Sequence, residues 1–317
     1  MTLTLTVDAA VWNRHVDTLA ALVPGLVPVV KGNGYGFGRA FLAERAATLS
    51  PLMAVGTIHE VSDVPSNYTA VVLTPALDIP FPLRDNAILT VGSAVQAQAA
   101  ARTHSTRRII IKVRSSMHRY GVEVRNASEL ISRCDALGLS IAGFSIHPPL
   151  VGSSADHRRE IEQLVAALPD PHLPIWVSHI SVEDYLALRE SHPQRPWYLR
   201  LGTTLWHGDK SMLSLRADVV ERVDVRAGTA VGYRGTVIPE DGHLVMVGCG
   251  SAHGVAPLAD GRSPFHFERR RLDMVEPPHM HTSMCFVRAT ENAPTIGDQV
   301  DVQRPLTMTT VDCIQWL

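Results

Sequence analysis

Cysteine is scarce in this chain, and the few that occur are scattered. Its 317 residues hold four, Cys134, Cys249, Cys285 and Cys313, without C-x-x-C spacing. No zinc ribbon or dithiol redox motif can be read from them, and reduced thiols in a cytoplasmic protein are the expected state. Net charge is also slight: 29 Lys and Arg against 31 Asp and Glu leave −2. That balance gives no reason to expect nucleic acid or an anionic surface as partner. No run approaches the roughly 18 consecutive apolar residues of a membrane span. The opening M-T-L-T-L-T-V-D lacks the basic and apolar regions of a secretion signal. Charged residues make up only 19% of the chain and hydrophobic ones 45%, so a packed core is expected rather than disorder.

Short Val- and Ile-rich runs recur, with helical spacing between them. Strands are predicted at 26–31, 52–57, 70–74, 87–91, 109–114, 141–146, 175–178 and 197–201, and helices at 39–49, 93–102, 127–137, 155–168 and 181–190. The proline-dense stretch 79–86 is expected to hold no helix. Apolar strands alternating with helices indicate a parallel sheet covered on both faces, and eight such units indicate a closed barrel. After residue 217 the texture turns to short strands, at 219–225, 232–238, 243–248 and 285–289, and helical periodicity fades. The expected architecture is α/β: a (β/α)8 TIM-type barrel over residues 1–216, followed by a smaller, mostly β C-terminal domain over 217–317. The charged segment around Glu268-Arg269-Arg270-Arg271 reads as a solvated face.

The most pointed chemistry lies in V-P-V-V-K-G-N-G-Y-G-F-G, Val27 to Gly38. An apolar strand delivers Lys31 into a glycine-rich turn. Burial disfavours the ammonium and lowers its pKa, and a neutral amine is what imine formation with an aldehyde requires. A lysine that snorkels out at the strand end is the alternative. The run resembles the V-V-K-A-N-A-Y-G-H-G motif of the alanine racemases, pyridoxal-phosphate (PLP) enzymes of fold type III. The resemblance implies that Lys31 carries PLP and that Tyr35 contacts its phosphate. Gly32 and Gly34 stand in place of alanines, and Phe37 in place of a histidine.

Further motifs follow in the family's order. I-I-I-K-V-R-S-S-M-H-R-Y-G-V, Ile109 to Val122, is similar to K-x-D-T-G-M-x-R-x-G. It implies Arg119 as the group that binds the substrate carboxylate, and Lys112 as the family's often carbamylated lysine, although Arg114 replaces an aspartate. A strand-face ion pair is the other reading of Lys112. G-F-S-I-H-P-P-L places His147 where the family has a histidine against the cofactor ring. S-H-I-S-V-E-D reads as a helix start, capped by Ser181 with Asp184 three residues on. The family's phosphate-binding serine falls at Ser178 or Ser181, of which Ser181 is preferred. L-R-L-G-T-T-L-W-H-G resembles R-x-G-I-x-L-Y-G. It implies Arg200 on the pyridine nitrogen, and Gly202 and Thr203 as backbone donors to the phosphate.

The pattern then breaks. The family's second catalytic tyrosine, in G-Y-A-D-G, falls at Ser251 in V-G-C-G-S-A-H-G-V, its M-D pair at Thr282-Ser283, and a later tyrosine near Thr309. A serine hydroxyl is too weak an acid or base to replace a phenol. Another group must serve the second face of the α-carbon if the reaction is kept. His253 is the first choice because an imidazole titrates near neutrality, with Cys249, His279 and His281 also open. P-P-H-M-H, Pro277 to His281, faintly resembles the P-x-H-x-C metal pair of D-serine dehydratases and D-threonine aldolases, and x-H-x-H on a strand would put both histidines on one face; no metal is predicted. The expected function is a PLP-dependent amino-acid racemase or epimerase, its substrate not necessarily alanine and its sites shared in a homodimer. A PLP lyase and a catalytically degenerate PLP-binding protein are the alternatives.

Overall fold

A computed structural model describes residues 2–104 and 106–317. The chain forms two compact units. One consists of Arg14–Gly34 with Gly38–Trp206. The other gathers the chain as far as Asn13, Tyr35–Phe37 and His207–Leu317.

The first unit is built on eight parallel strands: Leu26–Pro28, Leu52–Val55, Thr69–Val72, Ala87–Val91, Arg108–Lys112, Ser140–Ser145, Ile175–Val177 and Trp197–Leu201. Each pairs with its neighbour in sequence except the first, which pairs with the last. A parallel bridge from Val29 to Ala54 joins the first strand to the second. Val29 N–H donates to Leu201 O at 2.8 Å and Val30 N–H to Ala54 O at 2.7 Å. The ring therefore closes within two residues of Lys31. The strands are apolar on both faces because both are covered. Every residue of Ala87–Val91 is buried, and Ile109, Ile111, Val177 and Leu199 are fully so. Each such side chain contributes about 1.5–3 kcal/mol relative to exposure.

All five predicted helices are present, at Arg39–Ala47, Ala94–Ala101, Ala127–Ala136, Ser154–Ala166 and Val182–Ser191. Ser153 and Asp156 form a reciprocal capping box at the fourth. The stretch 79–86 holds no helix. Two elements ahead of the barrel's first strand went unpredicted. Residues 3–7, L-T-L-T-V, form a strand with Leu3, Leu5 and Val7 fully buried. Ala9–Leu22 is a helix, with Asp8 accepting from Val11 N–H at 2.9 Å as its cap.

The second unit is an antiparallel β assembly around the long strand Leu213–Val225. The first half of that strand pairs with Leu3–Val7 and Gln299–Val302. A bulge between Val219 and Glu221 hands the second half to Gly242–Val247, which in turn pairs with Ser283–Arg288. Leu3 also packs in this unit's core, beside Val245, Val247, Phe265 and Val300. The strand expected at 232–238 is instead a tight hairpin, Ala230–Val231 with Thr236–Val237. Gly232 and Gly235 take left-handed φ of 72° and 60°, which breaks the extended run and leaves Tyr233-Arg234 at its tip.

Candidate active site

Enzymes on this kind of barrel work at the carboxyl ends of the strands, and there the predicted barrel residues gather. Lys31 follows the first strand. Its side chain reaches solvent, yet enough protein surrounds the amine for burial to lower its pKa; the charges of Arg119 and Arg200 add to the effect and Glu60 opposes it. Glu60 was not foreseen. It lies in a short 3-10 turn, Ile58–Asp63, after the second strand. Its two oxygens accept from Gly32 N–H at 3.2 Å and Gly56 N–H at 2.7 Å. The carboxylate thereby ties the lysine's turn to the next strand.

Lys112, on the fifth strand, is only 5% exposed, and its Nζ has no hydrogen-bond partner among the described residues. The strand-face ion pair is thus ruled out. Burial, with Arg200 and Arg119 nearby, holds the amine's pKa well below its ordinary value. Arg119 stands on the exposed loop beyond it, its guanidinium 4.6 Å from the centre of the Tyr120 ring. Ser115 in the same loop donates to His147 O at 2.6 Å.

His147 follows the sixth strand, half-buried, with Nδ1 on Ser178 Oγ. Burial first, then Arg200 and His179, hold it far below the ordinary histidine range, so the ring is neutral. Arg200, 8% exposed, donates through Nη2 to Ile146 O at 2.8 Å and Ser178 Oγ at 3.3 Å. Burial pushes its pKa down to about 10, still protonated at neutral pH. Ser178 thus joins His147 to Arg200. Ser181 caps the following helix, accepting from Asp184 N–H at 3.1 Å. Gly202 and Thr203 lead into the short helix Thr203–His207. His179 was also missed: its ring lies 4.2 Å from His147, on a left-handed backbone with φ 61°.

The remaining predicted groups belong to the other unit. Tyr35 is buried with φ 55°, and its carbonyl accepts from His207 Nε2 at 2.7 Å. Phe37, at the family's histidine position, packs among Trp12, His207 and Trp316. His253 does not have the freedom expected of a second base. It is 6% exposed. Nδ1 accepts from Gly250 N–H at 3.1 Å and Nε2 meets Asp312 at 3.0 Å, so both nitrogens are used to fix a turn. Pro277–His281 is irregular rather than a strand, and its two histidines part: His279 bonds Glu276, whereas His281 lies edge-on to His253. Among the described residues no group of three or more His, Cys, Asp or Glu could hold a metal ion.

Residues 7–208 match the family described as alanine racemase, N-terminal domain, and the chain belongs to that family. It is 26% identical over 273 residues to the alanine racemase of Prochlorococcus marinus, covering 75% of this chain and 69% of that protein. Against the alanine racemase of Helicobacter pylori strain G27 the figure is 22% over 337 residues, covering 93% and 87%. The fold is that of solved alanine racemases. The Bartonella henselae structure, which has covalently bound pyridoxal phosphate, superposes with a TM-score of 0.75 at 18% identity over the whole of both chains. The E. faecalis structure gives 0.72 at 17%, over 100% of this chain and 98% of that one.

Proposed function

We propose that this chain is a PLP-dependent amino-acid racemase or epimerase acting at the α-carbon, on a substrate other than or larger than alanine. One observation carries the reading. At the carboxyl end of the barrel a lysine with a lowered pKa stands within the fields of Arg119 and Arg200, and the nearby carboxylate, Glu60, is engaged by backbone N–H groups. Such a site fits an electrophilic carbonyl compound that carries anionic groups. The partnerless Nζ of Lys112 fits too, as a buried polar atom awaiting a neighbour.

When bound, PLP would supply an electron-withdrawing ring that acidifies the substrate's α-C–H. Lys31 would hold the cofactor and then carry the α-proton on one face. Arg119 would fork onto the substrate carboxylate. Arg200, locked by its carbonyl partners, would face the pyridine nitrogen as a fixed donor, and neutral His147 would lie against the ring. Tyr35, Ser181 and the N–H groups of Gly202 and Thr203 would hold the phosphate.

A head-to-tail homodimer is the proposed assembly, testable by sedimentation, and the cytoplasm the proposed compartment. The free thiols support the latter. Among the described residues no helix is long and apolar enough to cross a membrane.

The test is the visible absorption of the purified protein, followed by α-proton exchange in deuterated solvent with a panel of L- and D-amino acids. A lysine-bound PLP band in the visible that vanishes in Lys31→Ala, together with exchange, is expected. A band that persists in Lys31→Ala refutes the lysine assignment. A wild-type band with no exchange for any amino acid refutes the racemase reading and leaves a cofactor-binding protein.

A further inference from the structure

Inverting an α-carbon by proton removal needs a proton carrier on each face. Lys31 can serve one. His253 has no free nitrogen. Burial pushes the Cys249 thiol up to about 12, which leaves it inert near neutral pH. In the β unit His279 is held as a base is held, with one ring nitrogen on a carboxylate. We propose that His279 is the second proton carrier, oriented by Glu276; this rests on the racemase reading above.

His279 lines a cavity of about 650 Å³ together with Tyr233, Ser251, Glu276 and His281. Its Nε2 lies 2.6 Å from Glu276 Oε1. No hydrogen bond engages Nδ1 among the described residues, so a lone pair remains there for a substrate proton. A carboxylate that accepts from one ring nitrogen fixes the tautomer and leaves the other as the base. Ser251 has no comparable partner for its hydroxyl.

The surroundings are shaped around this pair. The Glu276 side chain is 3% exposed, and it also accepts from Tyr233 N–H at 2.9 Å and Arg234 N–H at 3.0 Å. Burial works against its charge, but the bonds from His279 and the two backbone N–H groups prevail and hold the carboxyl below its ordinary range. A Cβ on Gly232 would sit 2.2 Å from Glu276 Oε1, and one on Gly250 would sit 2.1 Å from His279 O. Both glycines give the dyad room that any side chain would take. The Tyr233 ring, 87% exposed, stands 4.3 Å from the imidazole.

In one direction the substrate Cα–H bond breaks and its proton passes to His279 Nδ1, the electron pair staying with the substrate carbon. The proton carrier of the opposite face then gives up a proton, and the new C–H bond takes up that pair. The reverse direction exchanges the two roles, and solvent restores both groups.

The experiment uses wild-type holoprotein, His279→Asn and Glu276→Gln. α-Proton exchange is measured separately for the L- and D-enantiomers of an amino acid that the wild type exchanges. His279→Asn should slow exchange of one enantiomer by ~10²-fold or more and spare the other. Glu276→Gln should slow the same enantiomer to a lesser degree. A low-field ring N–H proton resonance, from the His279–Glu276 bond, should be present in the wild type without any amino acid and lost in both variants. Circular dichroism and the PLP band should be retained. Equal slowing of both enantiomers in His279→Asn, or of neither, overturns the assignment of His279 while the racemase reading stands. No exchange by the wild type overturns the racemase reading itself.

Discussion

Replacing Lys112 by methionine should stabilise the cofactor-free protein and impair the loaded one. The side chain is 5% exposed and its Nζ has no hydrogen-bond partner. Leaving a buried polar group unpaired costs about 1–3 kcal/mol. Methionine is unbranched and of similar length, and fills the same space without that cost. A gain of about 1–3 kcal/mol in urea unfolding at pH 7.5 is therefore expected. The gain should depend on pH in a fixed sense. Unfolded, the lysine keeps its proton up to about 10.4; folded, burial, Arg200 and Arg119 hold its pKa well below that. Between the two values the unfolded state binds the extra proton, so wild-type stability rises with pH, by up to about 1.4 kcal/mol per unit. The advantage of the variant should thus shrink between pH 7.5 and 9 by as much as ~2 kcal/mol. Lys31 is shifted in the same direction but is common to both proteins and cancels. A Lys112→Met protein that is less stable at pH 7.5, or an advantage that grows with pH, would refute the picture of an unpaired amine whose pKa burial lowers.

Three further outcomes are expected. An amine whose pKa is lowered beside two guanidinium groups is suited to take up carbon dioxide, since the resulting carbamate anion would face Arg119 and Arg200; ¹³C-bicarbonate should give a protein-bound carbamate resonance that is missing in Lys112→Met. Ser181→Ala removes the cap on Asp184 N–H, which should cost about 1 kcal/mol of stability; it should also weaken PLP binding, read by equilibrium dialysis. Gly232→Ala forces a side chain into left-handed backbone and against Glu276. It should destabilise the protein by about 2–5 kcal/mol in urea unfolding, from backbone strain and overpacking together.

The barrel was legible because its strands are buried on both faces, so runs such as Ile109-Ile110-Ile111 stand out from the helices around them. The lysine turn and the strand-end arginines were legible because they lie close in sequence to those runs. The first strand and helix were equally readable, L-T-L-T-V by alternation and Asp8 as a cap. Glu60 was hidden because its role rests on two backbone N–H groups from different turns, which no side-chain pattern records. Neither His253 nor His279 has a local sequence pattern that tells its role. Only tertiary hydrogen bonds separate the one whose nitrogens are both used from the one that keeps Nδ1 free.

The pairing of Leu3–Val7 with both the Leu213–Ala217 part of the long strand and the closing strand Cys313–Trp316 has a consequence for biosynthesis. The strand leaves the ribosome before its antiparallel partner, which follows about 200 residues later, a delay of ~10–40 s at ordinary elongation rates. Throughout that interval an apolar edge waits on the nascent chain while the barrel segments emerge and can begin to fold. Capture by a holdase, or pairing with a neighbouring nascent copy, competes during that wait. Yield should therefore respond to translation speed and chaperone supply more than native stability alone would suggest.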